Sequence, residues 1–260
     1  MSARIHPTSI VAADARLAPD VEIGPYAVIG AGVELGSGCT VGSHAVLEGP
    51  SSFGEDNRIF PHAALGLAPQ DLKYRNEPTM LKVGARNTFR EFSTVHRGTA
   101  GGGGVTTIGD DNFLMAYIHI AHDCHVGSRT IFANYAALAG HVEIGDDAIV
   151  GAFCAIQQFS RVGRHAFMGA MTAASQDVLP FIKTDGNHVV KTYGINALGL
   201  KRKGFADERI EALKGIYRLL VSPKLNTSQA LERIAADFPK NEDAAYLADF
   251  IRSSKRGVHK

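Results

Sequence analysis

From Leu17 to Leu47 the chain reads LAPDVE, IGPYAV, IGAGVE, LGSGCT, VGSHAV, L, so that an apolar residue opens each block of six. The openers are Leu17, Ile23, Ile29, Leu35, Val41 and Leu47. The next residue is often glycine (Gly24, Gly30, Gly36, Gly42). The residue four places after the opener is small or β-branched (Val21, Ala27, Val33, Cys39, Ala45). A period of six fits neither the helical repeat nor the simple alternation of a strand. It fits a β-helix, in which each block is one short strand and one corner. The opener then points inward, and the small residue fills what narrow space is left on the axis. One block cannot bury its apolar face alone, so stacking supplies the core.

Outward from this stretch the register runs back to Val11 and Ile5 and on through Phe53, Ile59 and Leu65. It resumes at Val83, Phe89 and Val95, and again from Ile108 to Met168. At three blocks per turn this makes about eight coils and a prism roughly 40 Å long. Two interruptions stand out. Residues 67–80 contain Pro69, Pro78 and the string Gln70-Asp71-Leu72-Lys73-Tyr74-Arg75. Residues 98–107 contain Gly101 to Gly104, which read as a flexible hairpin. They lack the lysine and the strand-to-helix setting of a phosphate-binding loop. Loops thrown out from a rigid scaffold often carry function. Beyond Leu179-Pro180 the spacing turns helical: Ile210, Leu213, Ile216, Leu220, then Leu231, Ile234, Phe238, then Leu247, Phe250, Ile251. Asp207, Thr227 and Asn241 read as N-caps. The expected fold is mainly β, a parallel β-helix over 1–190, closed by a C-terminal three-helix α-helical domain over 191–260.

The chain has 260 residues, of which 45% are apolar, which supports a core and argues against disorder. There is no apolar run of transmembrane length and no signal-peptide pattern, so a cytoplasmic protein is expected. Cys39, Cys124 and Cys154 form no CxxC pair, which argues against a disulfide framework and a cysteine zinc site. The formal charge of +1 hides a split: 13 basic and 18 acidic residues over 1–190, 14 and 8 over 191–260. The basic tail is either a solvated surface or a dock for an acidic partner. No nucleic-acid partner is expected.

His119, His122 and His125 suggest a metal site, but the register opposes it. His119 and His125 share a phase on different faces, so one ion within one chain cannot take both. No metal and no cofactor is expected. Eighteen residues on, the chain returns to the same face one coil higher. His122 should therefore stack with Gly140 and Gln158, and Asp123 with His141 and Phe159, roughly 5 Å apart coil to coil. A histidine beside a carboxylate, with a glycine N–H above, is a base plus an oxyanion donor, which is what acyl transfer to a hydroxyl requires. Ordinary corner residues are the alternative.

The repeat resembles that of the hexapeptide acyltransferases, which implies a left-handed, three-sided coil. Longer strings resemble one family among them, the UDP-N-acetylglucosamine O-acyltransferases of lipid A synthesis. These are Asn112-Phe113-Leu114-Met115, His119 to Cys124, Gln70 to Tyr74, Thr94 to Thr99, Leu138 to Val142, Gly186-Asn187-His188 and Gly199 to Phe205. The resemblance implies transfer of an (R)-3-hydroxyacyl group from acyl carrier protein to the glucosamine 3-hydroxyl of UDP-N-acetylglucosamine. It implies His122 as base, Asp123 as its orienting partner and Gly140 as oxyanion donor. It places Gln70, Asp71, Lys73, His96, His119, His141 and Gln157 against substrate, and Ala170 at the acyl-length position. Asn196, Arg202 and Lys203 fall in the segment that handles the nucleotide and the carrier, and the family is a homotrimer. Two positions depart from the pattern: Gln157 stands where the bacterial type member has histidine, and Ala170 where glycine is common. A 3-amino sugar acceptor, or a related N-acyltransferase, is the alternative. The latter normally adds an N-terminal domain for which hexads starting at Ile5 leave no room.

Overall fold

The structure is a computed structural model and describes residues 3–186 and 189–260. Asn187 and His188 of the string quoted above lie outside the described residues. The chain winds as a left-handed parallel β-helix with three faces. The first face begins with Arg4–Ile5 and Glu22–Ile23 and contains eleven strands. The second begins with Ile10–Val11 and contains nine, and the third begins with Arg16–Leu17 and contains eight. Most strands are two residues long, because a hexad leaves no more between corners. Their side chains still stack in register: Val95 pairs with Ile120, and Ile120 with Leu138. These inward positions are fully buried.

Each corner is turned by a residue in the left-handed region, three places after the opener. Tyr117, Tyr135 and Phe153 turn the corner between the first and second faces. Asp123, His141 and Phe159 turn the second–third corner, and Arg129, Asp147 and His165 the third–first corner. This conformation costs a non-glycine residue free energy and persists only where the surroundings fix it. Here the coils above and below do so. On the third–first side the inward position four after the opener is not small. Asn57, Asn87 and Asn112 stack there as a buried ladder, the Oδ1 of each accepting from the backbone N–H one coil higher, up to Thr130.

The helical tail differs from expectation. There are four helices rather than three: Ala197–Arg202 (α1), Asp207–Leu220 (α2), Thr227–Asp237 (α3) and Glu242–Arg252 (α4). The six-residue α1 is too short to show a helical period. Asn226, not Thr227, caps α3, in a capping box with Gln229. Ala206 precedes α2, with Asp207 inside its first turn, while Asn241 caps α4 as expected. Before the helices, strand Lys191–Ile195 pairs antiparallel with Ile182–Asp185 on the first face. The tail buries Leu213, Ile216, Leu247 and Ile251 against Leu179, Phe181 and Ile182. Arg164 fastens it: its guanidinium lies 4.0 Å from the Tyr246 ring centroid and bonds Asp243, which Arg209 also holds.

Candidate active site

The corner between strands His119–Ile120 and His125–Val126 carries the chemistry. Asp123 adopts a φ of 59°, which turns its carboxylate under the ring of the preceding residue. His122 Nδ1 lies 2.7 Å from Asp123 Oδ2. An ionised carboxylate only accepts, so Nδ1 carries the proton and Nε2 is left as the acceptor. One coil higher, a Cβ at Gly140 would stand 2.9 Å from that Nε2. No described residue accepts a hydrogen bond from the Gly140 N–H. His141 stands beside the pair, its Nε2 3.7 Å from Asp123 Oδ2, and stacks on Phe159 with ring centroids 4.4 Å apart.

Two further imidazoles come in from the second face. His119 Nδ1 is 2.8 Å from Thr94 Oγ1, and its ring meets His96 edge to face at 5.0 Å. His96 is buried, and its Nδ1 finds no partner. Burial, helped by the nearby His119, His122 and Arg97, pushes the pKa of His96 down to about 4. Burial also lowers His119, and His141 despite the opposing Asp123 charge. The three are therefore neutral at physiological pH and can exchange hydrogen bonds with an uncharged hydroxyl or amide. His122, Asp123 and His141 offer ligand atoms within 4.8 Å of one another. Both Asp123 oxygens already accept hydrogen bonds, so a cation would have to displace them. His119 and His125 lie in strands of different faces, as the register requires.

The 67–80 loop reaches the same corner: the Asp71 charge acts on His141. Its root is fixed by Arg97, which donates to the Gly66 carbonyl at 2.8 Å and to the Tyr74 hydroxyl at 3.1 Å. Asp71 Oδ1 accepts from the Lys73 N–H, while Gln70 and Lys73 expose their side chains. A cleft of about 320 Å³ opens at the corner between Asp123, His141, Phe159 and Lys255. A larger groove of about 720 Å³ lies on the first coils, around Ile5, Val41 and Phe60, and contains none of the expected site residues.

The remaining site residues are not at this corner. Gln157 is exposed, two residues before Phe159. Ala170 is exposed beside Met171 at the first–second corner. Lys203 pairs with Asp147 at 2.7 Å on the third–first corner, and Asn196 Nδ2 donates to the His165 carbonyl there. Asn196 Oδ1 caps α1, so its side chain is committed within the chain. Arg202 is exposed on α1. Sequence reasoning missed Thr99, Gly102 and Thr106, which surround Asp123. The four-glycine run beside them is not a flexible hairpin. Ala100–Gly102 form a 3-10 turn capped by Thr99, with Gly103 and Gly104 at positive φ.

Stacked hexads with a histidine–carboxylate pair on one corner and glycine above it define a hexapeptide-repeat acyltransferase. A family described as bacterial transferase hexapeptide (six repeats) matches residues 14–49 and 106–140. The UDP N-acetylglucosamine O-acyltransferase domain 2 family matches residues 177–259. An acyl-[acyl-carrier-protein]–UDP-N-acetylglucosamine O-acyltransferase of Ralstonia nicotianae is 53% identical, covering 98% of this chain and 97% of its own. That of Thermodesulfovibrio yellowstonii is 44% identical over 98% of both. The Francisella novicida UDP-N-acetylglucosamine acyltransferase structure superposes with a TM-score of 0.95 at 36% identity, covering 98% of this chain and 93% of that one. The chain belongs to the family of acyl-[acyl-carrier-protein]–UDP-N-acetylglucosamine O-acyltransferases.

Proposed function

We propose that this chain moves an (R)-3-hydroxyacyl group from acyl carrier protein to the glucosamine 3-hydroxyl of UDP-N-acetylglucosamine, the first step of lipid A synthesis. The observation that carries the chemistry is the His122–Asp123 pair beneath Gly140. His122 Nε2 takes the proton as the 3-hydroxyl oxygen attacks the thioester carbon. The Gly140 N–H faces the carbonyl oxygen as it gains charge. Collapse of the tetrahedral intermediate expels the carrier thiolate, which recovers the proton from His122. The product is an ester and a free carrier thiol, with no acyl-enzyme. Base catalysis of this kind supplies about 10²–10⁴-fold, and one oxyanion donor about 10²–10³-fold.

The working unit in this reading is a homotrimer. The base, the acyl-length position and the basic segment occupy three different corners of one prism. One chain cannot gather them, whereas a closed ring of three copies sets each corner against a neighbour's. The first–second corner carries an exposed ladder of rings, Tyr26, His44, His62, Phe92, Tyr117, Tyr135 and Phe153, stacked 4.8–5.1 Å apart, a surface suited to burial by a neighbour. Acyl carrier protein is acidic, and α1 presents Lys201 and Arg202 to it. The cytoplasm, where sugar nucleotides and acyl carriers meet, is the compartment this reading requires. No helix among the described residues is long and apolar enough to cross a membrane.

The test is a mass-spectrometric product assay with purified protein, UDP-N-acetylglucosamine and a panel of 3-hydroxyacyl carrier proteins. The expected product is an alkali-labile ester. An amide formed only with a 3-amino sugar nucleotide, or no product with any donor, would overturn the reading.

A further inference from the structure

The Asp123 carboxylate is held from two sides, and only one side is the histidine. Oδ1 accepts the Thr99 N–H at 2.8 Å. Oδ2 accepts the Thr99 hydroxyl at 2.7 Å as well as His122 Nδ1 at 2.7 Å. Thr99 in turn caps the turn Ala100–Gly102, and its Oγ1 accepts the Gly102 N–H at 3.2 Å. Gly102 lies flat against the carboxylate, where a Cβ would stand 2.0 Å from Asp123 Cγ. At the far end of the same loop, Thr106 Oγ1 accepts the Asp123 N–H at 2.8 Å. Thr99, Thr106 and Asp123 are all buried. The 98–107 loop therefore wraps one carboxylate.

The consequence follows from the geometry of a carboxylate. With His122 as its one partner, Asp123 could rotate about its side-chain bonds and still make one bond. Two donors from Thr99, one on each oxygen, leave a single orientation, and that orientation aims a lone pair of Oδ2 at His122 Nδ1. We propose that Thr99 is a positioning residue for acyl transfer, acting through Asp123 to hold His122 in the tautomer whose Nε2 faces the acceptor. No neighbour can substitute. His141 Nε2 is 3.7 Å from Oδ2, beyond hydrogen-bond reach, and His96 and His119 face His122 from the second face. The inference rests on the reading of His122 as base. A loop tether alone would make Thr99 matter for stability but not for turnover.

Thr99→Val keeps the backbone bond to Oδ1 and removes the hydroxyl bond to Oδ2. Measured on the full-length protein, kcat should fall about tenfold or more while KM for both substrates stays within about twofold. Thr99→Ser should restore most of the rate. In an Asp123→Asn background, Thr99→Val should cost less than about threefold, because the route through the carboxylate is already cut. An unchanged kcat in Thr99→Val, or losses that simply multiply in the double variant, would overturn the assignment. Should Thr99→Val not fold, Thr99→Ala carries the same comparison. A His122→Ala protein that keeps its turnover removes the base and this role together. An inactive His122→Ala beside a fully active Thr99→Val removes only the role of Thr99.

Discussion

Gly140 lies directly over His122, one coil higher, so closely that a methyl at 140 would stand 2.6 Å from Cε1 of the imidazole. The glycine thus does two things: it leaves room for the ring, and it brings a backbone N–H next to the nitrogen that accepts the proton. The coil-to-coil spacing of a β-helix fixes both, with no flexible loop in between.

The first consequence concerns these two positions. His122→Ala should lower kcat by about 10²-fold or more and leave the thermal melt intact, since the side chain packs against a corner and not the core. Gly140→Ala should also cost rate, by forcing the ring off Asp123. Steady-state kinetics decide it: more than about a tenth of the wild-type rate in His122→Ala means that another group is the base.

The basic segment divides into two kinds of residue. Burial alone would raise the Asp147 carboxyl, but the bonds from Arg129 and Lys203 outweigh it and hold it below its ordinary value. Lys203 is thus partly a structural anchor, while Arg202 is exposed. Arg202→Glu should raise KM for the acyl carrier donor, and added salt should raise it in wild type, with the melting temperature unchanged. Lys203→Met should in addition lower the melting temperature by a few degrees, for a loss of about 1 kcal/mol at a half-exposed pair. Equal donor KM values in wild type and Arg202→Glu would remove the docking role.

Acid should destabilise the fold through its buried imidazoles. The folded-state pKa of His96 is depressed from 6.5 to about 4, so the unfolded chain takes up the proton first. The stability this contributes is complete above about pH 6.5 and is lost as pH falls toward about 4, on the order of 3 kcal/mol in all. His119, His141, His165 and His259 are lowered in the same direction. Melting temperatures measured across that window should fall with pH in wild type and less steeply in His96→Gln. Equal slopes would mean that burial of this imidazole is not a cause of the pH dependence.

Ala170 tests the three-copy arrangement. It is exposed at a corner different from that of His122, so it can limit an acyl chain only across a subunit boundary. Its methyl occupies the space of about one methylene, and rejecting one methylene is worth about 1–3 kcal/mol. Ala170→Gly should shift donor preference toward longer chains and Ala170→Met toward shorter ones, read from competition between donors. If neither variant shifts the profile, the acyl chain ends elsewhere.

The period of six was legible from Leu17 to Leu47 alone, because every inward position obeys one local rule: an apolar residue, then six more to the next. The same arithmetic placed Gly140 over His122 and His141 over Asp123, since an uninterrupted eighteen-residue step carries register without error. Where a loop breaks the count, that arithmetic stops. Thr99 meets Asp123 across the 98–107 loop, at a separation of 24 residues, which no repeat announces. Helix α1, too short for a period, and the antiparallel strand Lys191–Ile195 were unreadable for the same reason. The pairing of Lys203 with Asp147 was likewise decided only in three dimensions. Sequence by itself determined the coil, its faces and the histidine corner, because these follow from spacing along the chain. Tertiary structure decided what orients the carboxylate and which basic residue is tied down, because those contacts depend on where loops and helices return.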